Sequence, residues 1–169
     1  DGKWSLTLSQ PLPDGMRVYA VARDAFGNDS PASSLTVDAV APTLSVIGLS
    51  NGTHVSGTAE AGATVTLTDG NGNPVGQVTA DGNGRWSYTP DSPLPDGTVI
   101  AAVATDTVGN ASAPAWVTID STAPGAPVLD PSNGSSLSGT AEPGATVTLT
   151  DGSGNPIGQV TADGSGNWS

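Results

Sequence analysis

The chain has 169 residues, of which 16 are Asp or Glu and only 4 are Lys or Arg, so its formal net charge is −12. Four basic residues are too few to neutralise a run of phosphates or an anionic bilayer, so we expect no nucleic-acid binding and no membrane-surface binding. No apolar stretch approaches the roughly 20 residues of a membrane-spanning helix, which predicts no membrane insertion, and the absence of Cys excludes disulfides and thiolate chemistry.

The first element, around Trp4, belongs to a pattern that returns twice. Trp4, Trp86 and Trp168 are spaced by 82 residues, and long stretches between them repeat almost verbatim at the same offset. The run Gly57–Gly70 recurs from Gly139 with a single change. A fixed period identifies structural modules in an array. An 82-residue unit is too long for a solenoid repeat and fits a small β-sandwich domain.

Two Ala-Pro pairs divide the array, at Ala41-Pro42 and Ala123-Pro124. Each follows an apparent strand and an Asp, which is typical of a short linker. On this phasing, residues 1–40 are the C-terminal half of one module, 41–122 are a complete module, and 123–169 are the N-terminal half of a third.

Segments of the complete module have the pattern of short strands bounded by turn residues. In chain order the predicted strands are Leu44–Ile47, Ala63–Thr68, Val75–Ala80, Arg85–Thr89, Val99–Thr105 and Trp116–Ile119. About seven strands at this spacing, without helical periodicity, predict an all-β fold of tandem immunoglobulin-like Greek-key β-sandwich modules.

The copies also predict which face of the strand at 99–104 is buried. Three alternate residues stay apolar in the earlier copy, namely Ile100, Ala102 and Ala104. The opposite face tolerates a charge, because Val99 aligns with Arg17. The first set is therefore expected to face the core. Trp86 recurs in every copy and is predicted to be buried, whereas Trp116 aligns with Ser34 and is predicted to be exposed.

Three motifs together resemble a known family: the run Ser56–Val65, the loop Asp106–Asn110 and the junction Thr118–Pro124. They are similar to bacterial Ig-like repeats, which build the stalks of giant cell-surface adhesins that are exported by type I secretion and associated with biofilms. The resemblance covers the whole chain. It implies an extracellular, cell-surface extender whose partners are neighbouring repeats, and it implies calcium at module junctions, as in several members of the family.

Acidic residues are expected to meet at the junctions. In an Ig-like topology two inter-strand loops lie at the end where the chain enters the module, so Asp38, Glu60 and Asp106 are expected to converge. An oxygen-rich site of this kind suits Ca²⁺, which takes 6–8 oxygen ligands. The candidate calcium ligands at the two junctions and their repeat equivalents are Asp24, Asp38, Glu60, Asp106, Asn110, Asp120 and Glu142.

Each acidic motif also has a purely structural interpretation. The pattern Asp106-x-x-Gly109-Asn110 is equally typical of a turn stabilised by its own Asp side chain. The run Asp69–Asn73 resembles the start of an EF-hand loop, but Pro74 stands where that motif needs Gly. A hairpin loop is therefore predicted there. His54 aligns with Ser136 and is predicted to be a solvated residue at a strand edge.

Catalysis is not expected, because the candidate acids recur at the repeat offset and no nucleophile–base pair can be assembled. A rival interpretation is a carbohydrate- or ligand-binding module that uses Trp116 or Tyr88. That interpretation requires an aromatic platform in every copy, and Trp116 is not repeated. Near-identity of the copies favours an extender, since a spacer needs length and duplication supplies it.

The two half-modules predict self-association. Each half alone would expose an open sheet edge and half a core. The middle module separates the two halves by roughly 25 Å, so closure within one molecule is not expected. The C-terminal half of one molecule is therefore expected to complete the N-terminal half of the next. Such heterologous contacts do not close and would propagate a head-to-tail fibre. The alternative is that the chain is a segment of a longer rod.

Overall fold

The computed structural model describes residues 2–169, apart from the Ser45 side chain, and all the regular secondary structure in that range is β-strand. No helix in the described chain is long and apolar enough to span a membrane. Residues up to Ser121 form one compact unit, and Thr122–Ser169 form a second.

The first unit starts with an antiparallel pair, β1 (Arg17–Ala20) and β2 (Ser33–Thr36), in which Val18 is opposite Leu35. The complete module follows. Its strands are β3 (Leu44–Ile47), β4 (Val55–Ala59), β5 (Thr64–Asp69), β6 (Pro74–Thr79), β7 (Arg85–Tyr88), β8 (Val99–Thr105) and β9 (Ala115–Thr118). They form two antiparallel sheets, with strand orders β3-β4-β7 and β6-β5-β8-β9. The predicted all-β sandwich is confirmed.

The second unit repeats the first half of this module. It contains β10 (Val128–Leu129), β11 (Gly139–Thr140), β12 (Thr146–Thr150), β13 (Pro156–Thr161) and β14 (Asn167–Trp168). The sheet orders are β10-β11-β14 and β12-β13. Val147 lies opposite Val160 as Val65 lies opposite Val78, so the hairpin keeps its register from one copy to the next.

The core of the complete module lies between its two sheets. The predicted inner face of β8 is confirmed, since Ile100, Ala102 and Ala104 are fully buried. Trp86 is buried and Trp116 is 57% exposed, also as predicted. Ala101 differs from expectation, because it lies on the outer face yet is buried. Its register partners Thr68 and Trp116 flank it in the sheet, and a methyl group between larger neighbours is easily covered.

Strand β4 is not among the predicted strands, and it has at its centre Gly57, a residue type that is depleted in strands. The structure gives the reason for this glycine. A Cβ at Gly57 would lie 2.7 Å from Cζ2 of Trp86 and would also meet the carbonyl oxygen of Val46. The bare backbone of Gly57 thus allows the buried indole of Trp86 to pack directly against β4. Gly139 repeats this arrangement with Trp168 in the second unit.

Replacement of Gly57 by Ala should therefore destabilise the complete module. We expect Gly57→Ala to lower the free energy of unfolding by about 1–3 kcal/mol, since overpacking a filled core forces neighbours to shift. The measurement is urea unfolding followed by Trp fluorescence. Gly82→Ala is the matched control, because a Cβ there meets no atom within 4 Å. Equal midpoints for the two variants would contradict this account of the Gly57–Trp86 contact.

Candidate functional site

Six five-residue loops within residues 2–169 share one construction. Each begins with Asp, has Gly at its fourth position and ends with Asn or Arg. The Asp N–H donates to the carbonyl of the last residue, and the glycine has a φ between 76° and 100°, a conformation that favours Gly. The loops are Asp24–Asn28, Asp69–Asn73, Asp81–Arg85, Asp106–Asn110, Asp151–Asn155 and Asp163–Asn167.

The Asp side chain closes each loop from inside. In the loop Asp106–Asn110, Asp106 Oδ1 accepts hydrogen bonds from the N–H groups of Val108, Gly109 and Asn110 at 2.7–2.9 Å. Its Oδ2 accepts a hydrogen bond from Asn110 Nδ2 at 2.8 Å. Partial desolvation raises the pKa of Asp106. The hydrogen bonds together lower it by more, so the pKa is below the ordinary value for Asp. Asp106–Asn110 thus forms a turn that is closed by its own Asp side chain.

The remaining loops show the same electrostatics. The amide side chain of the closing Asn lowers the pKa of Asp24, Asp69 and Asp151, while backbone N–H groups are the main cause for Asp81 and Asp163. The Asp69–Asn73 loop joins β5 to β6 as a hairpin, as predicted. The recurring pattern Asp-x-x-Gly-Asn is the signal that the sequence offers, and it predicts a turn at Asp106–Asn110 and a hairpin loop at Asp69–Asn73.

Asn110 also reaches the preceding repeat. Its Nδ2 donates to the backbone carbonyl of Asp38 at 3.1 Å, across 72 residues of sequence. The Asp38 carboxylate itself accepts the N–H of Val40 at 3.2 Å, within the linker. The counterpart Asn28 donates to its own Asp24 at 2.8 Å. One amide thus connects the end of one repeat to a loop of the next.

The other candidate ligands make hydrogen bonds of their own within their units. The Glu60 N–H donates to the Thr43 carbonyl at 2.9 Å, which holds the turn after β4 beside the entering chain. Asp24 closes its own loop. At the second junction, the Asp120 N–H donates to the Ser50 carbonyl at 3.0 Å, and the Glu142 carbonyl accepts the N–H of Ala145 at 2.9 Å.

These residues have the right donor atoms for a cation, but their side chains are not clustered. Carboxylate and carbonyl oxygens are the donors that Ca²⁺ prefers. In the part of the chain that the structure describes, however, no three His, Cys, Asp or Glu side chains form a group that could hold a metal. The Asp106 oxygens already accept four N–H bonds. Calcium binding at these residues therefore stays a prediction.

The aromatic residues of the rival binding interpretation do not form a common surface. Tyr88 is half-buried, its hydroxyl donates to the Val75 carbonyl at 2.7 Å, and its ring packs where a Cβ on Gly76 would lie. Trp116 is exposed, but its counterpart Ser34 accepts hydrogen bonds from Arg17 instead. Trp116 is thus not repeated at its own sequence position.

Comparison with known proteins gives a family match and a structural match. A family model described as the bacterial Ig domain matches residues 40–120 and 123–169. Among solved structures, the chain is similar to a biofilm associated protein, BSP domain, with 26% identity and a TM-score of 0.41. The match covers 67% of this chain and 20% of that one, so the chain spans about a fifth of its length. Comparison with curated proteins gives no significant match.

The contact between Asn110 and Asp38 predicts a measurable effect on the linker. We expect Asn110→Ala and Asn28→Ala each to cost about 0.5–1.5 kcal/mol for the lost loop bond. Only Asn110→Ala should raise the picosecond–nanosecond mobility of the backbone amides of residues 39–41. The measurement is the ¹⁵N heteronuclear NOE. Identical NOE values in both variants would show that Asn110 acts within its own loop alone.

The lowered pKa values also predict that the folded chain loses stability in acid. The unfolded chain binds more protons than the folded chain near pH 4, so the carboxylates contribute their full stability above the ordinary Asp pKa of 3.8. That stability is lost as the pH falls through the lower folded values. The thermal midpoint should therefore fall between about pH 4 and pH 2, also in salt that screens repulsion between the charges. A midpoint that only rises with acid would mean that relief of repulsion dominates.

Proposed function

Because this chain belongs to the bacterial Ig domain family, we propose that it is an extender of a bacterial surface adhesin, a stalk segment that projects an adhesive tip. The observation that carries the proposal is the faithful repetition of whole modules, including the register of the hairpin β5–β6 in β12–β13. A single active site does not need near-verbatim copies, whereas a spacer gains length from them. The proposed role is non-catalytic and extracellular.

The proposal extends to calcium at the junctions. Asp38, Glu60, Asp106 and Asn110 would supply oxygens at the first junction, and Asp120 and Glu142 at the second, with Asp24 as the equivalent of Asp106 in the preceding repeat. The support is charge. The chain has a net charge of −12, so carboxylates of neighbouring repeats repel each other, and a divalent cation between them would replace repulsion by attraction.

The occupancy of such a calcium site would differ between the inside and the outside of the cell. Extracellular modules bind Ca²⁺ with dissociation constants of about 10⁻⁴–10⁻³ M. A site of that strength is empty at cytosolic calcium and filled outside the cell. The chain would therefore be exported with mobile junctions, and the stalk would stiffen once it reached the surface.

The test is small-angle scattering on the 169-residue chain and on a version with one more copy of residues 41–122. The extra copy should increase the maximum dimension by close to the length of one module. Millimolar calcium should narrow the distribution of dimensions and raise the thermal midpoint by about 3–6 °C, since tenfold excess over the dissociation constant stabilises by about 1.4 kcal/mol. EGTA should reverse both changes.

Two matched variants locate the calcium effect. Glu60→Gln removes a candidate ligand and should weaken the response, whereas Asp91→Asn removes an exposed carboxylate away from the candidate set and should not. A wild-type chain that ignores millimolar calcium would contradict calcium binding and leave the extender role. A maximum dimension that does not grow with the extra copy would contradict the extender role itself.

A further inference from the structure

The strand pairs β1–β2 and β8–β9 each carry one exposed aromatic ring at the same place, but on opposite strands. Trp116 on β9 lies opposite Ala101 on β8. In the preceding repeat, Tyr19 on β1 lies opposite Ser34 on β2. The 82-residue offset aligns Tyr19 with Ala101, and it aligns Ser34 with Trp116. The two copies therefore keep one large ring and one small residue in this cross-strand pair, although the ring has changed strand.

Both rings lie on the face of the sheet that points away from the core. Val117, which follows Trp116, is 8% exposed and belongs to the buried cluster, and successive strand residues point to opposite faces. Trp116 is 57% exposed and Tyr19 is 63% exposed. Packing inside the sandwich therefore does not account for either ring.

An arginine side chain holds the ring of the preceding repeat. Cζ of Arg17 lies 5.4 Å from the centroid of the Tyr19 ring, a distance at which a cation is attracted to an aromatic face. Arg17 Nη2 also donates to Ser34 Oγ at 3.1 Å. The guanidinium is thus engaged by the ring and the hydroxyl on one side, and most of the Tyr19 side chain is accessible.

The surroundings of Trp116 are polar but uncharged. Thr68 on β5 lies opposite Ala101, so a hydroxyl group and the indole flank the same small residue. Further across the sheet, Gln77 Nε2 on β6 donates to Thr66 Oγ1 at 3.1 Å. Strands are spaced by about 4.8 Å, so the face from β9 to β6 has the width of a short oligosaccharide.

This sheet is also free of the charge that dominates the rest of the chain. Strands β5, β6, β8 and β9 contain one charged residue, Asp69. Its carboxylate accepts the N–H groups of Asn71 and Asn73 and the Asn73 amide, within its own loop. The face around Trp116 therefore suits an uncharged ligand, whereas the net charge of −12 repels a polyanion.

We propose that this face binds an uncharged, β-linked polysaccharide, with one sugar ring stacked on Trp116 and another on Tyr19 of the preceding repeat. A β-linked glucose ring has flat faces of C–H groups, and these pack against the negative face of an aromatic ring. Its hydroxyl groups lie at the ring edge, where Thr68 can donate and accept hydrogen bonds. An apolar contact with a few polar groups around it is the usual composition of a ligand site.

The exposed area argues against a second copy of the chain as the occupant. A stable protein–protein interface buries about 800 Å² on each partner. In β5, β6, β8 and β9, the large exposed apolar side chains are Trp116 and Val99, which is small for such an interface. A single stacked sugar ring needs only the indole, and further repeats would multiply weak contacts into avidity.

Affinity electrophoresis tests the proposal, because a chain with a net charge of −12 migrates toward the anode in a native gel. The probe is hydroxyethylcellulose, a soluble, uncharged, β-linked glucan. The mobility of the 169-residue chain should fall as the polysaccharide concentration rises, relative to an unrelated reference protein. Trp116→Ser introduces the residue of the preceding repeat and should raise the apparent dissociation constant about tenfold, as the loss of an aromatic anchor does. A wild-type chain with unchanged mobility would overturn the proposal.

A swapped pair tests whether the place of the ring on the sheet decides binding. Ala101→Tyr combined with Trp116→Ser moves the ring to β8, as in the preceding repeat, and should restore the mobility shift that Trp116→Ser alone loses. Leu49→Ser is the matched control, since Leu49 is 98% exposed and lies outside this sheet. A double variant as weak as Trp116→Ser, or equal loss in Leu49→Ser, would overturn the assignment.

Two further measurements separate the other roles of the ring. Cross-strand pairs stabilise a sheet, so a lower thermal midpoint for Trp116→Ser, with no binding by the wild type, would assign the ring to strand pairing alone. Sedimentation velocity that shows self-association lost in Trp116→Ser, again without polysaccharide binding, would assign the face to a second copy. Either result would overturn the proposal. The inference goes beyond the extender role, which would survive both because it depends on the maximum dimension.

Discussion

A carboxylate that accepts several backbone N–H groups is the interaction on which this fold depends. The described chain contains no helix, so its direction changes only at turns and linkers. Six of the loops are closed by an Asp side chain beside a glycine of positive φ. A charged acceptor makes a stronger hydrogen bond than a neutral one, and it leaves the backbone donors of a short loop satisfied. Asp106 shows the full set, with three backbone N–H groups and one side-chain amide.

This loop construction also explains why the chain is acidic and why its loops repel one another. Each loop adds a negative charge, and among the described residues the one ion pair is the exposed contact of Arg23 with Asp29. Repulsion between loops is therefore weakly compensated. At the first junction, the loop of Asp106 lies beside the end of the preceding repeat. Asn110 suits that place as a neutral donor that binds the Asp106 carboxylate and the Asp38 carbonyl together.

Much of the fold could be predicted because the copies act as natural substitution experiments. The alignment of Arg17 with Val99 identified the outer face of β8. The recurrence of Trp86 in each copy identified it as a core residue. The glycine of β4 could not be understood from the sequence, since its reason is the ring of Trp86 packed against it from another strand. The junction was harder still. Spacing placed Asp38 and Asp106 at one end, but it could not tell whether their oxygens point at backbone N–H groups or at a shared centre.

The repeated residues show that burial depends on the partner strand as much as on the side chain. Leu67 and Leu149 have the same neighbours in sequence and the same hairpin register, yet only Leu67 has β8 beside its strand and is fully buried. The unit of sequence repetition and the unit of stability therefore coincide only when both halves of a sandwich are present. The buried core of the complete module consists of residues of that module alone. At the first junction, the hydrogen bond from Asn110 to the Asp38 carbonyl joins a surface loop to the linker and involves no residue of the buried core.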